Sequence, residues 1–305
     1  MSPPLCYSVS LSQPKTLGVR QLLLRSEWIR VLKRWQTALA VALIVVSLLA
    51  GYLDHQSGRY FSPMDTLSAY VAFLVAIGGG PVSLWPGVVA LIGPLILGDT
   101  LAWDRRTGMI RLMVSRVGRR RYITGKLLAV NLYTAIIVLS ALCVSLAVAF
   151  AWLPSQLPPW REVDGQLTIY DPRATYAVVE PFPTYLHDLF FTNPIVYLTI
   201  LVLILVLPPL AWANLSLLLS IWTENIYLVL AAPWLICMAL SFILGQPFIG
   251  GWHYSPLVLS GPFVQIGEPR LPDWAIPMLW CAVIAITIAG TYFGFLHTKG
   301  GDIID

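Results

Sequence analysis

Residues 99–126 read DTLAWDRRTGMIRLMVSRVGRRRYITGK and lie between two long apolar segments. They hold eight of the chain's 19 Lys and Arg residues. The rest of the chain is poor in charge: of 305 residues, 57% are hydrophobic and only 11% are charged, against about 25% charged in a soluble domain. This composition predicts that lipid, rather than water, surrounds most of the protein.

Working outward from this stretch, six apolar segments are long enough to cross a membrane as helices, at about 20 residues each. We therefore predict an all-α integral membrane protein with a single transmembrane domain over residues 1–305. A short helix is expected over Thr66–Ile77, because Gly and Pro residues follow it, and Pro208-Pro209 predicts a kink in the fourth span. The predicted spans are residues 35–53, 81–97, 127–153, 194–221, 226–244 and 274–296.

The distribution of basic residues orients these spans. Fifteen Lys and Arg lie in residues 1–34, in residues 99–126 and in the C-terminal tail, whereas four lie in the segments expected on the opposite side. We predict that both termini and the 99–126 loop are cytoplasmic, in the cytoplasmic membrane of a prokaryotic cell. Residues 154–193 would then form an external loop that caps the outer mouth, with a short interfacial helix near Tyr185–Phe191.

The segment Leu17–Trp35 has a helical pattern of its own. Arg30, Lys33 and Arg34 fall on the face opposite an apolar stripe, which predicts a helix lying in the membrane interface with its basic face toward the cytoplasm. The alternative is a basic flank that only fixes topology. The apolar stripe consists of Leu17, Leu24, Trp28, Val31, Leu32 and Trp35.

A second amphipathic helix is predicted over Thr107–Val117, within the basic loop. Met109, Leu112 and Met113 recur at helical spacing, and the segment contains Arg residues off that stripe. Exposed apolar anchors rimmed by arginine suit docking into a groove on a partner. The alternative is a segment that lies flat on lipid headgroups.

The longer stretch GPLILGDTLAWDRRTGMIRLMVSRVGRRRYITGK, residues 93–126, resembles the signature of type-2 ATP-binding-cassette (ABC) exporter permeases. It departs from the family pattern in three ways: Asp104 stands where Glu is commoner, Thr-Gly replaces Gly-Thr, and Val-Ser-Arg-Val replaces Pro-Val-Ser-Arg. The six spans, the interfacial N-terminal helix, the short turn 222–225 and the C-terminal tail also match. The matching elements are Gly98-Asp99, Asp104-Arg105-Arg106, Thr107-Gly108, Met109–Val114, Ser115-Arg116 and Gly125-Lys126.

The resemblance implies a set of partners and roles. Such permeases pair as homo- or heterodimers and bind two cytoplasmic ABC ATPase subunits, which hold ATP and Mg, so no cofactor is expected in this chain. The N-terminal helix would be an elbow helix and the 107–117 helix a coupling helix. The implied ATPase contacts are Asp104, Arg105, Arg106, Gly108, Met109, Leu112, Met113, Arg116 and Glu224, and the implied structural motif is Asp99, Gly125 and Lys126.

Each of these residues also has a simpler interpretation. Asp104, Arg105 and Arg106 would be solvated surface charges, which contribute little. Lys126 would extend its ammonium to the interface. Glu224 would be a charge partner for the N-terminus of the following helix.

The sequence argues against an enzyme and against a nucleic-acid partner. Gly125-Lys126 lacks the upstream glycines of a phosphate-binding loop and runs on into a predicted span, and no metal-ligand spacing occurs. The substrate is not predictable. Two other functions remain open: a membrane scaffold or sensor that recruits a partner through the same loop, and a lipid-modifying enzyme using Asp171, His187 and Asp188.

Overall fold

A computed structural model of the chain describes residues 26–57, 68–74, 76–77, 84–155, 160–163, 166–169, 185–245, 255–261 and 272–297. Almost all of these residues are helical. The elements in chain order are α1 (26–33), α2 (Trp35–Ser57), α3 (Ala69–Leu74), α4 (Trp85–Gly93), the π-helix π1 (Pro94–Gly98), α5 (Thr100–Arg106), α6 (Met109–Val117), α7 (Arg119–Trp152), β1 (Trp160–Val163), β2 (Gln166–Ile169), α8 (His187–Thr192), α9 (Pro194–Leu205), α10 (Leu207–Leu219), α11 (Ile226–Leu244), α12 (Pro256–Leu259) and α13 (Ala275–His297).

The long apolar helices are those of a multi-pass membrane protein. Within the described residues, five helical segments are long and apolar enough to cross a membrane, with α9 and α10 taken together. A sixth crossing is obtained if α4–π1 and α5, which meet at a bend of 44°, form one span. Spans two and three differ in extent from the prediction, because α4 begins at Trp85 and α7 begins at Arg119, inside the predicted basic loop.

The bend after the second apolar segment has a local origin. Pro94 cannot donate a backbone hydrogen bond, and the helix widens to the π form over Pro94–Gly98. Asp99 follows with φ −91° and ψ 0°, outside helical geometry, and α5 then starts in a new direction. The chain therefore turns at Asp99 before it reaches the basic residues.

The fourth predicted span breaks where its prolines predict a kink. Helix α9 ends at Leu205, and α10 begins at Leu207 with Pro208 and Pro209 in its first turn, where missing backbone donors cost least. Helix α10 is the central helix, packing against α4, π1, α7, α11 and α13.

Small residues bring α10 very close to α4 and π1. A Cβ atom added at Gly93 would lie 2.0 Å from the carbonyl oxygen of Pro209, and one added at Gly98 would lie 2.7 Å from the side chain of Ser216. The two backbones therefore touch, as small residues permit in membrane helix pairs.

Polar bonds add to this packing around α10. Asn214 and Asn131 on α7 exchange reciprocal amide hydrogen bonds of 2.8 and 3.1 Å. The Ser216 hydroxyl donates to the carbonyl of Val229 on α11 at 2.7 Å. Asn214 and Ser216 of α10 thus both have partners across a helix interface.

The predicted external loop contains structure that the all-α prediction did not include. Strands β1 and β2 form an antiparallel pair with Trp160 opposite Ile169, which adds a short hairpin to an otherwise helical protein. The sequence signal is Asp164-Gly165 between two runs rich in β-forming residues, a favoured hairpin turn pair. The predicted helix near Tyr185–Phe191 is confirmed as α8, and α3 lies within the predicted helix Thr66–Ile77.

Candidate functional site

One end of the helix bundle gathers most of the charged side chains that the sequence singled out. Helices α1, α5 and α6, the first turns of α7, the turn 220–225 and the end of α13 meet there, and we call this region the basic end. Ion pairs join α1, α5 and α7, and Arg105 reaches the turn 220–225. Arg119 donates to the carbonyl of Phe295, which brings in α13.

Helix α6 projects at this end between two glycine turns. Gly108 and Gly118 have φ angles of +70° and +86°, values that a residue with a side chain adopts only with strain. The backbone N–H of Gly108 donates to the carbonyl of Arg105, and that of Gly118 to the carbonyl of Val114. These turns define the helix that the sequence predicted within Thr107–Val117.

Helix α6 has one face against the protein and one face outward. Ile110 is buried, and Met113 and Val114 pack against the core. On the outward face, Leu112 is 55% exposed and Met109 is 37% exposed. The exposed basic residues beside them are Arg106, Arg111 and Arg116. Of the predicted apolar anchors, Met109 and Leu112 therefore lie at the surface, whereas Met113 is largely taken up by internal packing.

A buried cluster of four charges lies beneath α6. Lys126 Nζ lies 2.7 Å from both Glu27 Oε1 and Asp104 Oδ2, and Arg30 Nη1 lies 2.8 Å from Asp104 Oδ1 and 3.3 Å from Glu27 Oε1. The Tyr122 hydroxyl donates to Asp104 Oδ2 at 2.7 Å. Two carboxylates and two cations give a net charge of zero, the condition under which buried ions are tolerated. The cluster fastens α1, α5 and α7 together.

This cluster corrects several expectations. Asp104 and Lys126 are 1% and 2% exposed, so Asp104 is neither a solvated surface charge nor exposed for a partner, and Lys126 does not extend its ammonium to the interface. Of the three basic residues predicted to face the cytoplasm, Arg30 and Arg34 pair with Asp104 and Asp99, whereas Lys33 is exposed. Leu17 and Leu24 of the predicted stripe lie outside the described residues.

The electrostatics at Arg30 follow from the same geometry. Burial opposes its positive charge, but the carboxylates of Glu27 and Asp104 outweigh burial and raise the pKa of Arg30 above its ordinary value. Arg30 is therefore held as a cation by two carboxylates at once. Neither Glu27 nor Tyr122 was predicted as a member of the site, because the contacts that bring them there, to Lys126 and Asp104, span 99 and 18 residues of the chain.

A second pair ties the start of α2 to the bend. Arg34 forms an ion pair with Asp99 Oδ2, and Asp99 is fully buried. Its other oxygen, Oδ1, has no hydrogen-bond partner among the described residues. Asp99 thus anchors the bend between π1 and α5. Gly125 lies within α7.

Arg105 links α5 to the other loop at the basic end. Its guanidinium donates to the carbonyl of Ile221 and, at 3.4 Å, to that of Ser220, at the C-terminus of α10. Its Nη2 lies 3.5 Å from Glu224 Oε1, whose side chain is 57% exposed. The structure therefore brings Arg105 and Glu224 together, and Glu224 keeps a surface available to a partner.

Helix α8, at the opposite end of the bundle, carries His187 and Asp188 of the lipid-enzyme hypothesis. The backbone N–H of Leu186 donates to Asp273 Oδ2 at 3.2 Å. Burial raises the pKa of Asp273 despite this hydrogen bond, and burial together with Asp273 raises the pKa of Tyr185 to about 12. Asp188 is exposed, and Asp171 lies outside the described residues. No group of three or more His, Cys, Asp or Glu suited to a metal ion occurs in the described part of the chain.

Comparison with known proteins adds no assignment. No family model matches the chain, and no curated protein matches it. Functional inference therefore depends on the residues and on the geometry of the basic end.

Proposed function

We propose that this chain is the permease subunit of an ABC transporter, which moves a substrate across the cytoplasmic membrane in the direction of export. ATP would be hydrolysed by a separate cytoplasmic ATPase subunit that binds at the basic end. A second permease, identical or paralogous, would complete the pair of membrane subunits.

The observation that carries this proposal is the outward face of α6. Leu112 and Met109 are exposed apolar side chains on a short helix held between two glycine turns, with Arg111 and Arg116 beside them. An apolar anchor with a basic rim is the arrangement expected of a helix that docks in a groove on a soluble protein. A helix that only marked the cytoplasmic side would need the arginines but not the exposed apolar anchors.

A docked helix must also move the spans, and the buried charges supply the connection. Asp104 joins α5 to α1 and α7, and Arg105 joins α5 to the turn after α10. A displacement of α6 would therefore be transmitted to several spans rather than absorbed in a loose loop. Such coupling requires the ATPase to bind two states of the permease with different free energies.

ATP hydrolysis is assigned to the partner because the sequence offers no site for it. The sequence contains no phosphate-binding loop, and Gly125-Lys126 sits within helix α7. Of the charged residues predicted to contact the ATPase, Arg106, Arg116 and Glu224 have exposed side chains that could do so, together with the α6 anchors.

The test is co-purification with an ABC ATPase encoded beside the gene. The Leu112→Asp variant places a carboxylate in the proposed contact, and we expect at least about tenfold weaker binding of the ATPase, since a buried apolar anchor contributes about 2 kcal/mol or more. Thr124→Asp adds the same charge at an exposed position on α7 and should leave binding unchanged. Equal loss in both variants, or no loss in either, would contradict the proposed contact.

A second measurement separates a permease from a scaffold. In the assembled complex, we expect ATP to change the rate at which a cysteine introduced at Thr192, on α8 at the far end, reacts with a thiol reagent. A scaffold that only recruits the ATPase would show the same rate with and without nucleotide.

A further inference from the structure

A pocket opens at the basic end, beside the buried charges rather than at α6. It has a volume of about 360 Å³ and lies between α1, the first turn of α2 and α5. Its walls include three cations, Arg30, Lys33 and Arg34, and two indoles, Trp35 and Trp103. This space admits a small anionic group rather than a whole folded partner.

Two of the three cations are held in position by ion pairs with buried carboxylates. Asp104 holds Arg30 and Asp99 holds Arg34, and both carboxylates are buried. A guanidinium carries five N–H donors, so an ion pair on one side leaves donors for a ligand on the other. The side chains of Arg30 and Arg34 remain 31% and 15% exposed, so some of that surface is accessible.

The charge of the third cation, Lys33, is not balanced by a carboxylate among the described residues. Lys33 is exposed and has no ion-pair partner among the described residues. The carboxylates around the pocket, Glu27, Asp99 and Asp104, number one fewer than the cations, which are Arg30, Lys33, Arg34 and Lys126. The region therefore carries one excess positive charge, which matches a singly charged anion.

The position of the pocket indicates where that anion would come from. Trp35 begins α2, a helix apolar enough to span a membrane, and Trp103 lies on α5, the second half of the bent pair formed by α4–π1 and α5. Their side chains are 67% and 46% exposed, and indoles in such positions favour the depth of lipid headgroups. Leu32, which precedes Lys33 on α1, is 66% exposed and would offer an apolar contact to an acyl chain.

We propose that this pocket binds the phosphodiester of an anionic phospholipid, with Lys33 supplying the unmatched charge and Trp35 and Trp103 flanking the headgroup. The lipid would sit against α1 and the bend at Asp99. The inference does not depend on the proposed transport function, because it concerns a different surface from the ATPase contact.

Native mass spectrometry of the purified full chain, titrated with phosphatidylglycerol or phosphatidylcholine in detergent, tests the proposal. We expect one phosphatidylglycerol to be retained in preference to phosphatidylcholine. Lys33→Gln should weaken that binding about fivefold, the effect of one basic residue at an anionic lipid surface. Arg120→Gln removes one exposed charge of the basic end outside the pocket and should leave binding unchanged.

Three results would overturn the lipid site. These are no preference for phosphatidylglycerol in the wild-type chain, equal weakening by Lys33→Gln and Arg120→Gln, and full displacement of the lipid by millimolar inorganic phosphate. The last result would assign the pocket to a free anion instead. The melting temperature of Lys33→Gln should equal that of the wild type, because Lys33 is exposed.

Discussion

At the scale of single residues, the carboxylate of Asp104 decides how the basic end is built. It receives Lys126, Arg30 and the hydroxyl of Tyr122, so three elements depend on one side chain. Burying ions is costly, and the cost is offset only while every charge has its partner. Removal of any one charged side chain of the cluster should therefore lower the stability of the protein. Removal of two opposite charges together should lower it less.

We predict that Lys126→Met lowers the free energy of unfolding by about 3–5 kcal/mol, because it leaves buried carboxylates with one cation too few. Adding Glu27→Gln to that variant restores the charge balance and should recover part of the loss. Thermal unfolding in detergent measures both, with Arg120→Met as a control at an exposed position. A melting temperature unchanged by Lys126→Met would contradict the buried ionic cluster.

The amide pair between Asn131 and Asn214 should contribute a measurable coupling to the free energy of unfolding. Each side chain also donates to a carbonyl of its own helix, so alanine at one position leaves the other partly satisfied. A double-mutant cycle with Asn131→Ala and Asn214→Ala, measured on the free energy of unfolding, should give a coupling energy of about 0.6 kcal/mol, and at most about 1.7 kcal/mol. Ser140→Ala, at an exposed position on α7 that bonds only within its helix, should show no coupling to Asn214→Ala.

The sequence predicts structure where the pattern is local. It does not predict contacts between residues that are far apart along the chain. The helical spacing of Met109 and Leu112, and the glycines at 108 and 118, suffice to predict α6. In contrast, Arg30 lies 74 residues from Asp104, and Lys126 lies 99 residues from Glu27, so no local pattern joins them. The sequence consequently gave surface roles to side chains that are buried in a charge-neutral cluster.

At the scale of elements, the contact between α4–π1 and α10 depends on the absence of side chains. Gly93 faces the carbonyl of Pro209, whereas Gly87, six residues earlier on the same helix, faces open space. Two glycines of one helix therefore have opposite requirements. The π-helix at Pro94 was not predictable, because a proline in an apolar run signals a bend but not its form.

We predict that Gly93→Ala lowers the free energy of unfolding by about 1–3 kcal/mol, since the new methyl group would overlap the backbone of α10. Gly87→Ala is the matched control and should be neutral or stabilising by about 0.5–1 kcal/mol, because glycine weakens a helix interior. The two variants are compared by thermal unfolding in the same detergent. Equal effects would show that α4 and α10 are not in backbone contact.

At the scale of the whole molecule, the proposed function requires α6 and α8 on opposite sides of the membrane. Helix α7 leads away from the basic end, and the backbone N–H of Ala69, the first residue of α3, donates to the carbonyl of Pro154 just beyond the far end of α7. The excess of Lys and Arg at the basic end predicts that this end is cytoplasmic.

Cysteine labelling in intact cells tests that orientation. In a variant without the four native cysteines, we expect an impermeant thiol reagent to label Thr192→Cys from outside, and Ser115→Cys only after the membrane is opened. Both positions are exposed in the structure, so reactivity reports the side of the membrane rather than burial. Labelling of Ser115→Cys in sealed cells would invalidate the proposed ATPase contact.

The contacts of α10 limit how this protein can change shape. Its backbone touches α4 and π1 directly, its Asn214 grips α7, and Ser216 holds α11. The Arg105 guanidinium also donates to the carbonyls of Ser220 and Ile221 at the C-terminal end of α10. Helix α10 is therefore the element to which its neighbours are attached. Under the proposed transport function, α10 and these neighbours would move together, and the interface that opens would involve a helix with little contact to α10, such as α2.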